Sequence, residues 1–212
     1  MMNSLIQKLT EYCEEHSTPQ SQLLYELERE THLKTFAPQM TSGHIQGQFL
    51  SLLSQLMRPR LVLEIGTFTG YATICLAKGL EDNGIIHTIE VNEELAYLSN
   101  KYFEKSGLKH KIKAHIGNAK EIIPTIEGKF DIIFIDAGKL DYPDFYDLIF
   151  DRVKSGGLIL SDNVLWSGKI VNGATDKHTK ILDFYNKKLL NDKRIEHLIL
   201  PFRDGMGISR KK

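Results

Sequence analysis

The chain is short of the features that mark most specialised protein classes. It holds only two cysteines, Cys13 and Cys75, far apart and outside any CxxC pair. A disulfide framework or a thiolate metal site is therefore disfavoured, and a reducing compartment fits best. Lys plus Arg total 27 and Asp plus Glu total 27, so the net charge is zero. Without a cationic surplus no broad basic face is expected, and nucleic-acid binding through phosphates is not expected either. No apolar run approaches ~18 residues, and Met1 to Lys8 lack an apolar core of signal-peptide length. The expectation is a cytoplasmic protein with no membrane partner. No repeat, low-complexity tract or Pro/Gly/Ser-rich linker divides the sequence, so residues 1–212 read as one domain. That length lets a full sheet be buried between helix layers.

What the chain does have is alternation. Residues 1–58 read as helices. Ser21 to Lys34 is rich in Leu and Glu, and Ile45, Phe49, Leu52, Leu53 and Leu56 recur at helical spacing. Residues 59–212 form the core region, where short apolar runs alternate with helical stretches. The runs predict strands at 61–65, 85–90, 111–116, 130–136, 157–161, 195–200 and 206–210. Helices are predicted near 70–81, 93–106, 118–127, 142–152 and 175–190. Runs such as Phe130-Asp-Ile-Ile-Phe-Ile135 suit parallel strands covered on both faces. Between the last two runs Pro201-Phe-Arg-Asp-Gly205 reads as a hairpin, so one strand should run antiparallel. The fold class is α/β: a seven-stranded, mostly parallel sheet with helices on both faces and extra N-terminal helices. Ligands of such sheets bind beyond the carboxyl ends of the strands. That rule makes Gly66–Tyr71, Glu90, Asp136 and Asp162 neighbours.

The segment Leu61-Val-Leu-Glu-Ile-Gly-Thr-Phe-Thr-Gly-Tyr71 reads as a buried strand breaking into a glycine turn that opens a helix. Gly66 and Gly70 let the backbone turn tightly and let a ligand approach it. The helix start offers unpaired N–H groups. Glu90 ends the second strand, 90 − 66 = 24 residues after the first turn glycine, where an acid can accept from both ribose hydroxyls. Alone, it would read as a solvated strand-end glutamate. The turn lacks GxGxxG spacing, so nothing is shaped for a pyrophosphate. An adenosine carrying a sulfonium amino acid needs no such cradle, and Glu64 could hold its ammonium end through a water or side chain. Asp136, Asp162 and Asn163 offer hard oxygen donors with no His or Cys beside them. That set suits Mg²⁺ best, with Mn²⁺ or Ca²⁺ as alternatives to it, rather than Zn²⁺. The plainer reading of Asp162-Asn163 is an Asx turn or helix cap.

Taken in order, Met40-Thr-Ser, Gly47-Gln-Phe-Leu50, Glu64-Ile-Gly-Thr-Phe-Thr-Gly-Tyr71, Glu90, Phe134-Ile-Asp-Ala-Gly-Lys139 and Asp162-Asn-Val-Leu-Trp-Ser-Gly168 resemble the cation-dependent O-methyltransferases. These are the caffeoyl-CoA and catechol O-methyltransferase group, with the bacterial members nearest in length. The match runs from about residue 36 to the end, where Asp204-Gly-Met-Gly-Ile-Ser209 also fits. The resemblance implies a Rossmann-like class I methyltransferase fold and methyl transfer from S-adenosylmethionine to a hydroxyl, usually one of a vicinal pair on an aromatic ring. It assigns cation ligation to Asp136, Asp162 and Asn163. Cofactor contacts are implied for Met40, Glu64, Gly66, Thr67, Gly70, Tyr71, Glu90, Ala119 and Asp136. Lys139 takes the position of the family's general base, with Asp136 beside it in the catalytic set. Trp166, with Met40 and Lys139, lines the acceptor pocket. A homodimer is also implied.

The chemistry needs this combination. A neutral phenol is a poor nucleophile for in-line displacement at a sulfonium methyl. A divalent ion lowers the pKa of a bound hydroxyl and fixes its direction. Lys139 could then remove the proton if a nearby cation depresses its own pKa; the plainer reading is a surface lysine pairing with Asp136 or Asp141. Two positions depart from the family pattern. Gly138 stands where plant-like members usually carry a second aspartate, and Ala72 stands where a hydroxyl residue is common. The segment Ile170 to Lys180 corresponds to a variable acceptor loop. His178 within it reads as a solvated helix residue, and Arg203 and Asp204 read as turn residues. A nicotinamide-dependent oxidoreductase would share the βαβ start and Glu90 but predicts a GxGxxG turn. A non-catalytic binding module would keep the pocket but predicts loss of the acidic ligands.

Overall fold

The computed structural model describes residues 2–173 and 176–212, with the backbone alone for 2–4 and 6. Three helices precede the sheet: α1 (Met2–Glu15), α2 (Gln22–Lys34) and α3 (Gly43–Met57). Ser21 caps α2 by accepting the Leu24 N–H, which satisfies one of the donors a helix start leaves open. The strands are β1 (Leu61–Ile65), β2 (Ile85–Glu90), β3 (Ile112–Ile116), β4 (Phe130–Ile135), β5 (Val153–Asp162), β6 (Ile195–Leu200) and β7 (Met206–Lys211). Between them lie α4 (Tyr71–Ala77), α5 (Ala96–Lys105), α6 (Ala119–Ile122), α7 (Tyr142–Phe150) and α8 (Lys177–Asn191). Among the described residues the sheet has seven strands in the order β3-β2-β1-β4-β5-β7-β6. β7 runs antiparallel to both β5 and β6, and the other pairings are parallel. This is the Rossmann-like α/β architecture expected, with the order reversing between β1 and β4.

Each strand splits its side chains between two cores because successive residues face opposite sides. Val62, Ile132 and Phe134 pack with Leu27, Leu50, Tyr71 and Phe103, so α2 and α3 share a core with α4 and α5. Leu63, Ile65, Ile133 and Ile135 pack on the other face with Ile123, Tyr146 and Leu182 from the α6–α8 side. Each such aliphatic side chain contributes roughly 1.5–3 kcal/mol by burial. No described helix is long and apolar enough to cross a membrane.

Several boundaries differ from the periodicity. β5 begins at Val153 rather than 157, because Val153 pairs with Phe130 before a register shift. Lys154-Ser155-Gly156-Gly157 has no apolar alternation that would reveal it. α4 stops at Ala77 rather than 81 because Gly79 lies against α3, where an added Cβ would sit 2.1 Å from the Ser54 carbonyl carbon. The stretch 118–127 splits into α6 and a 3₁₀ turn, Ile123–Thr125, that contains Pro124. α8 begins at Lys177, capped by Asp176, and Thr175 of the predicted helix lies outside the described residues.

Candidate functional site

The register brings the acids together. Ile135 pairs with Ser161 on the adjacent parallel strand, so Asp136 and Asp162 follow side by side at the two strand ends. One strand away the Asp136 N–H donates to the Ile65 carbonyl at 2.8 Å. There Gly66 has φ 103, and a Cβ on it would stand 2.0 Å from the Asp136 carbonyl oxygen. The close approach that demands glycine at 66 is therefore to the neighbouring strand end. Gly70, at φ 90, packs against Phe103 in the same way.

On the β1–β2 side the polar groups answer one another. Glu64 is completely buried. Its Oε2 accepts from the Thr73 hydroxyl and from Thr88 Oγ1, the latter at 2.5 Å, while Oε1 has no partner. Burial pushes its carboxyl up to about 8, against the pull of those two hydroxyls. An ammonium group would reach Glu64 only through that buried network. Thr67 directs its hydroxyl at Thr88, 2.5 Å away, and its carbonyl accepts the Gly70 N–H at 2.9 Å. Glu90 accepts the Phe68 N–H at 2.7 Å and the Asn92 N–H at 2.9 Å. Phe68 is left-handed at φ 49, and the Glu90 bond ties it down. Gly117 donates to the Glu90 carbonyl, which brings Ala119 at the start of α6 to the same corner. Tyr71 differs from its neighbours: its ring lies against Gly47 and its hydroxyl accepts from Gln20 at 2.8 Å, so its side chain serves helix packing.

The β4–β5 side is charged. Lys139 is buried at 9% exposure, not on the surface, and its Nζ donates to Asp136 Oδ1 at 2.9 Å and to the Tyr142 hydroxyl at 2.7 Å. Asp141 pairs instead with Lys120. The Tyr142 hydroxyl also lies 2.9 Å from the Asp162 carbonyl, and burial holds its pKa well above the ordinary phenol value. Asp162 is pushed up to about 6, first by burial and then by the Asp136 charge. A buried carboxylate with a second acid beside it invites a cation. Among the described residues no three His, Cys, Asp or Glu side chains gather as a metal site. The oxygen donors that the family resemblance assigns are two carboxylates and the Asn163 amide, and an amide is outside those four residue types. Asn163 is left-handed at φ 58, Asp136 Oδ2 is left open by the Lys139 bond, and this hard-oxygen set fits Mg²⁺, Mn²⁺ or Ca²⁺.

Loop 163–168 continues that strain, with Trp166 at φ 48 and Ser167 at φ 54. The β6–β7 hairpin stitches it in place. Val164 and Leu165 donate to the carbonyls of Gly205 and Asp204, and the Ser167 N–H reaches the Asp204 carboxylate. Trp166 stacks on His178 with centroids 5.5 Å apart, so this exposed α8 histidine has an aromatic partner. Met40 is 58% exposed and ends the 3₁₀ turn Pro38–Met40. Ala174 and Thr175 of the acceptor loop lie outside the described residues. A methyl group on the Gly138 Cα would make ordinary van der Waals contact with Asp141 Oδ2 at 3.7 Å. Ala72 is buried in the helix core.

Sequence reading missed Tyr142, Gln46 and the reach of Arg203. Tyr142 was signalled by its i+3 spacing from Lys139 at a helix start. Gln46 adjoins the quoted Gly47-Gln-Phe segment. Arg203 is a turn residue, as read, yet its guanidinium bonds Gln46 Oε1 at 2.9 Å beside Asp162.

A family model described as O-methyltransferase matches residues 14–212. Caffeoyl-CoA O-methyltransferase 2 of Petunia hybrida is 36% identical over 185 residues, covering 81% of this chain and 76% of the relative. Among solved structures, the SAH-bound methyltransferase PaMTH1 of Podospora anserina superposes with a TM-score of 0.90 at 28% identity, over 99% of this chain and 96% of that one. The O-methyltransferase TomG of Streptomyces achromogenes, in complex with SAM, superposes with a TM-score of 0.90 at 25% identity, over 97% and 96%.

Proposed function

The chain belongs to the cation-dependent O-methyltransferase family, and on that premise we propose that it transfers a methyl group from S-adenosylmethionine to one hydroxyl of a catechol-like or caffeoyl-type acceptor with help from a divalent cation. The observation that carries this reading is the pairing of Asp136 and Asp162 at adjacent strand ends, one strand from the Gly66–Gly70 turn. The SAH and SAM named in two of the similar structures support the donor. Met40, Glu64, Gly66, Thr67, Gly70, Tyr71, Glu90, Ala119 and Asp136 are the residues we assign to it. Glu90 keeps lone pairs free for ribose hydroxyls beyond its two backbone bonds. Asp136, Asp162 and Asn163 would hold the cation, whose contribution is to acidify and orient a bound acceptor hydroxyl.

Lys139 holds Asp136 and Tyr142 in the resting site. We assign it the acceptor proton, taken by the neutral amine that a cation bound beside Asp136 would favour over the ammonium; the ammonium first gives its own proton to solvent. Trp166 and Met40 supply apolar surface for an aromatic ring, and the rigid strand ends keep oxygen, methyl and sulfur in line.

The test is incubation with methyl-labelled S-adenosylmethionine and caffeate or another catechol, with and without EDTA. Labelled product should form and should disappear with chelation, returning when Mg²⁺ is restored. Turnover indifferent to EDTA would reject the cation's role while leaving the methyltransferase intact.

A further inference from the structure

Gln46 is completely buried on the first turn of α3, in contact with no solvent. Its Nε2 donates to Asp162 Oδ2 at 2.8 Å. Its Oε1 accepts from Arg203 Nη1 at 2.9 Å, and Arg203 Nη2 donates to the Thr41 carbonyl at 3.0 Å. The other oxygen of Asp162 accepts the Asn163 N–H at 2.8 Å. A guanidinium only donates, so it compels the amide oxygen to face it and the amide NH₂ to face the carboxylate. Arg203 therefore decides which way round Gln46 sits, and Gln46 decides where Asp162 Oδ2 lies.

The turn that presents Arg203 is built at a cost. Gly205 donates to the Phe202 carbonyl at 3.0 Å and closes it, and Arg203 between them is left-handed at φ 50. Glycine is the residue that conformation favours. An arginine kept there, with its side chain reaching back to α3, points to a role for the side chain.

We infer that Gln46 and Arg203 are positioning residues for the cation site, a relay from the β6–β7 hairpin through α3 that holds the Asp162 carboxylate in its ligating direction. The inference rests on the cation reading above. Groups that orient a metal ligand typically alter metal affinity about 10–100-fold when removed, which sets the scale of the test.

The experiment is Mn²⁺ titration of the full-length protein followed by EPR of the free ion, with SAH affinity by calorimetry and melting temperature by circular dichroism. Gln46→Leu should weaken Mn²⁺ binding about tenfold or more, and Arg203→Gly by about threefold to tenfold. Arg203→Lys, which offers a donor to Gln46 but not a second to Thr41, should recover part of the loss. SAH affinity should stay within about twofold, since the relay touches neither Glu64 nor Glu90. Wild-type SAH affinity in the glycine variant separates positioning from folding. Arg203→Gly relieves the left-handed strain but leaves the buried Gln46 Oε1 without its donor, so a modest fall in melting temperature is expected. Wild-type Mn²⁺ affinity in both Gln46→Leu and Arg203→Gly would overturn the inference and leave the cation reading standing. A wild-type protein that binds SAH but takes up no Mn²⁺ would remove that reading and the inference together.

Discussion

At the β1 and β2 strand ends the acids are answered by hydroxyls and backbone amides; at the β4 and β5 ends two acids stand side by side. Glu64 sits among Thr73 and Thr88, and Glu90 holds the Phe68 and Asn92 N–H groups. Asp162 instead has Asp136 as the charge that raises it, with Lys139 and Arg203 opposing. The first arrangement is nearly complete within the chain, and Glu90 is the residue we assign to a ribose edge. The second sets two acids side by side at adjacent strand ends, and it is there that we assign a cation. The two sides also differ in strain, since Asn163, Trp166 and Ser167 are left-handed within a few residues. Left-handed non-glycine residues persist where the surroundings over-determine them. Here the surroundings are the hairpin bonds from Gly205 and Asp204.

The comparison breaks if one variant damages both sides. Asp162→Ala should show the largest effect. It removes a carboxylate that bonds Gln46 and faces Asp136, and turnover should fall by about 10²–10³-fold or below detection. SAH affinity by calorimetry should change by no more than about threefold. Retained turnover would take Asp162 out of the site, and lost SAH binding would mean the two sides are one cooperative unit.

Glu90→Ala is the matching cut on the other side and should cost less in turnover at saturating cofactor. Hydrogen bonds to a charged group contribute about 1.5–3 kcal/mol each, so SAH should bind about 10–100-fold more weakly. Mn²⁺ uptake should stay at the wild-type value. Unchanged SAH affinity would leave Glu90 with only its observed task, tying down Phe68 and Asn92.

The same contrast explains what the sequence made legible. The glycine turn is one contiguous stretch, so Glu64, Gly66 and Gly70 could be read from spacing alone. The parallel register follows from apolar runs, and it alone delivers Asp136 beside Asp162. Gln46, Tyr142, Asp162 and Arg203 come from separate segments, and no local pattern says that an exposed-looking turn arginine will reach back to α3. His178 was legible as exposed but not as the partner of Trp166. Element ends were lost where tertiary packing overrode periodicity, as at Gly79 against Ser54. Lys139 shows a third case, since its neighbour Asp136 was foreseen and its burial was not.

The smallest effect tests whether acid sensitivity belongs to the β1–β2 side. His87 on β2 and His115 on β3 stack with centroids 5.1 Å apart, and Nδ1 of the first lies 2.9 Å from Nε2 of the second. Burial, then His115 and Lys113, lower His87 to about 4, and burial lowers His115 as well. The folded protein thus resists a proton that the unfolded chain accepts near its ordinary value of about 6.5. Stability from this pair is full above that value and is lost as pH falls from about 6.5 towards 4. Glu30, held at about 2 by Lys101 and Lys34, loses its contribution only in stronger acid. Water near the strand edge reduces the expected effect to about 1 kcal/mol, on the order of 2–4 °C in melting temperature for a domain of this size. Melts of wild type and His87→Leu at pH 7.5, 6 and 5 measure it: the variant should fall less steeply, whatever its starting point. Parallel slopes would assign the acid sensitivity elsewhere, with Asp162 excluded as its source because a raised acid gains relative stability when it is protonated.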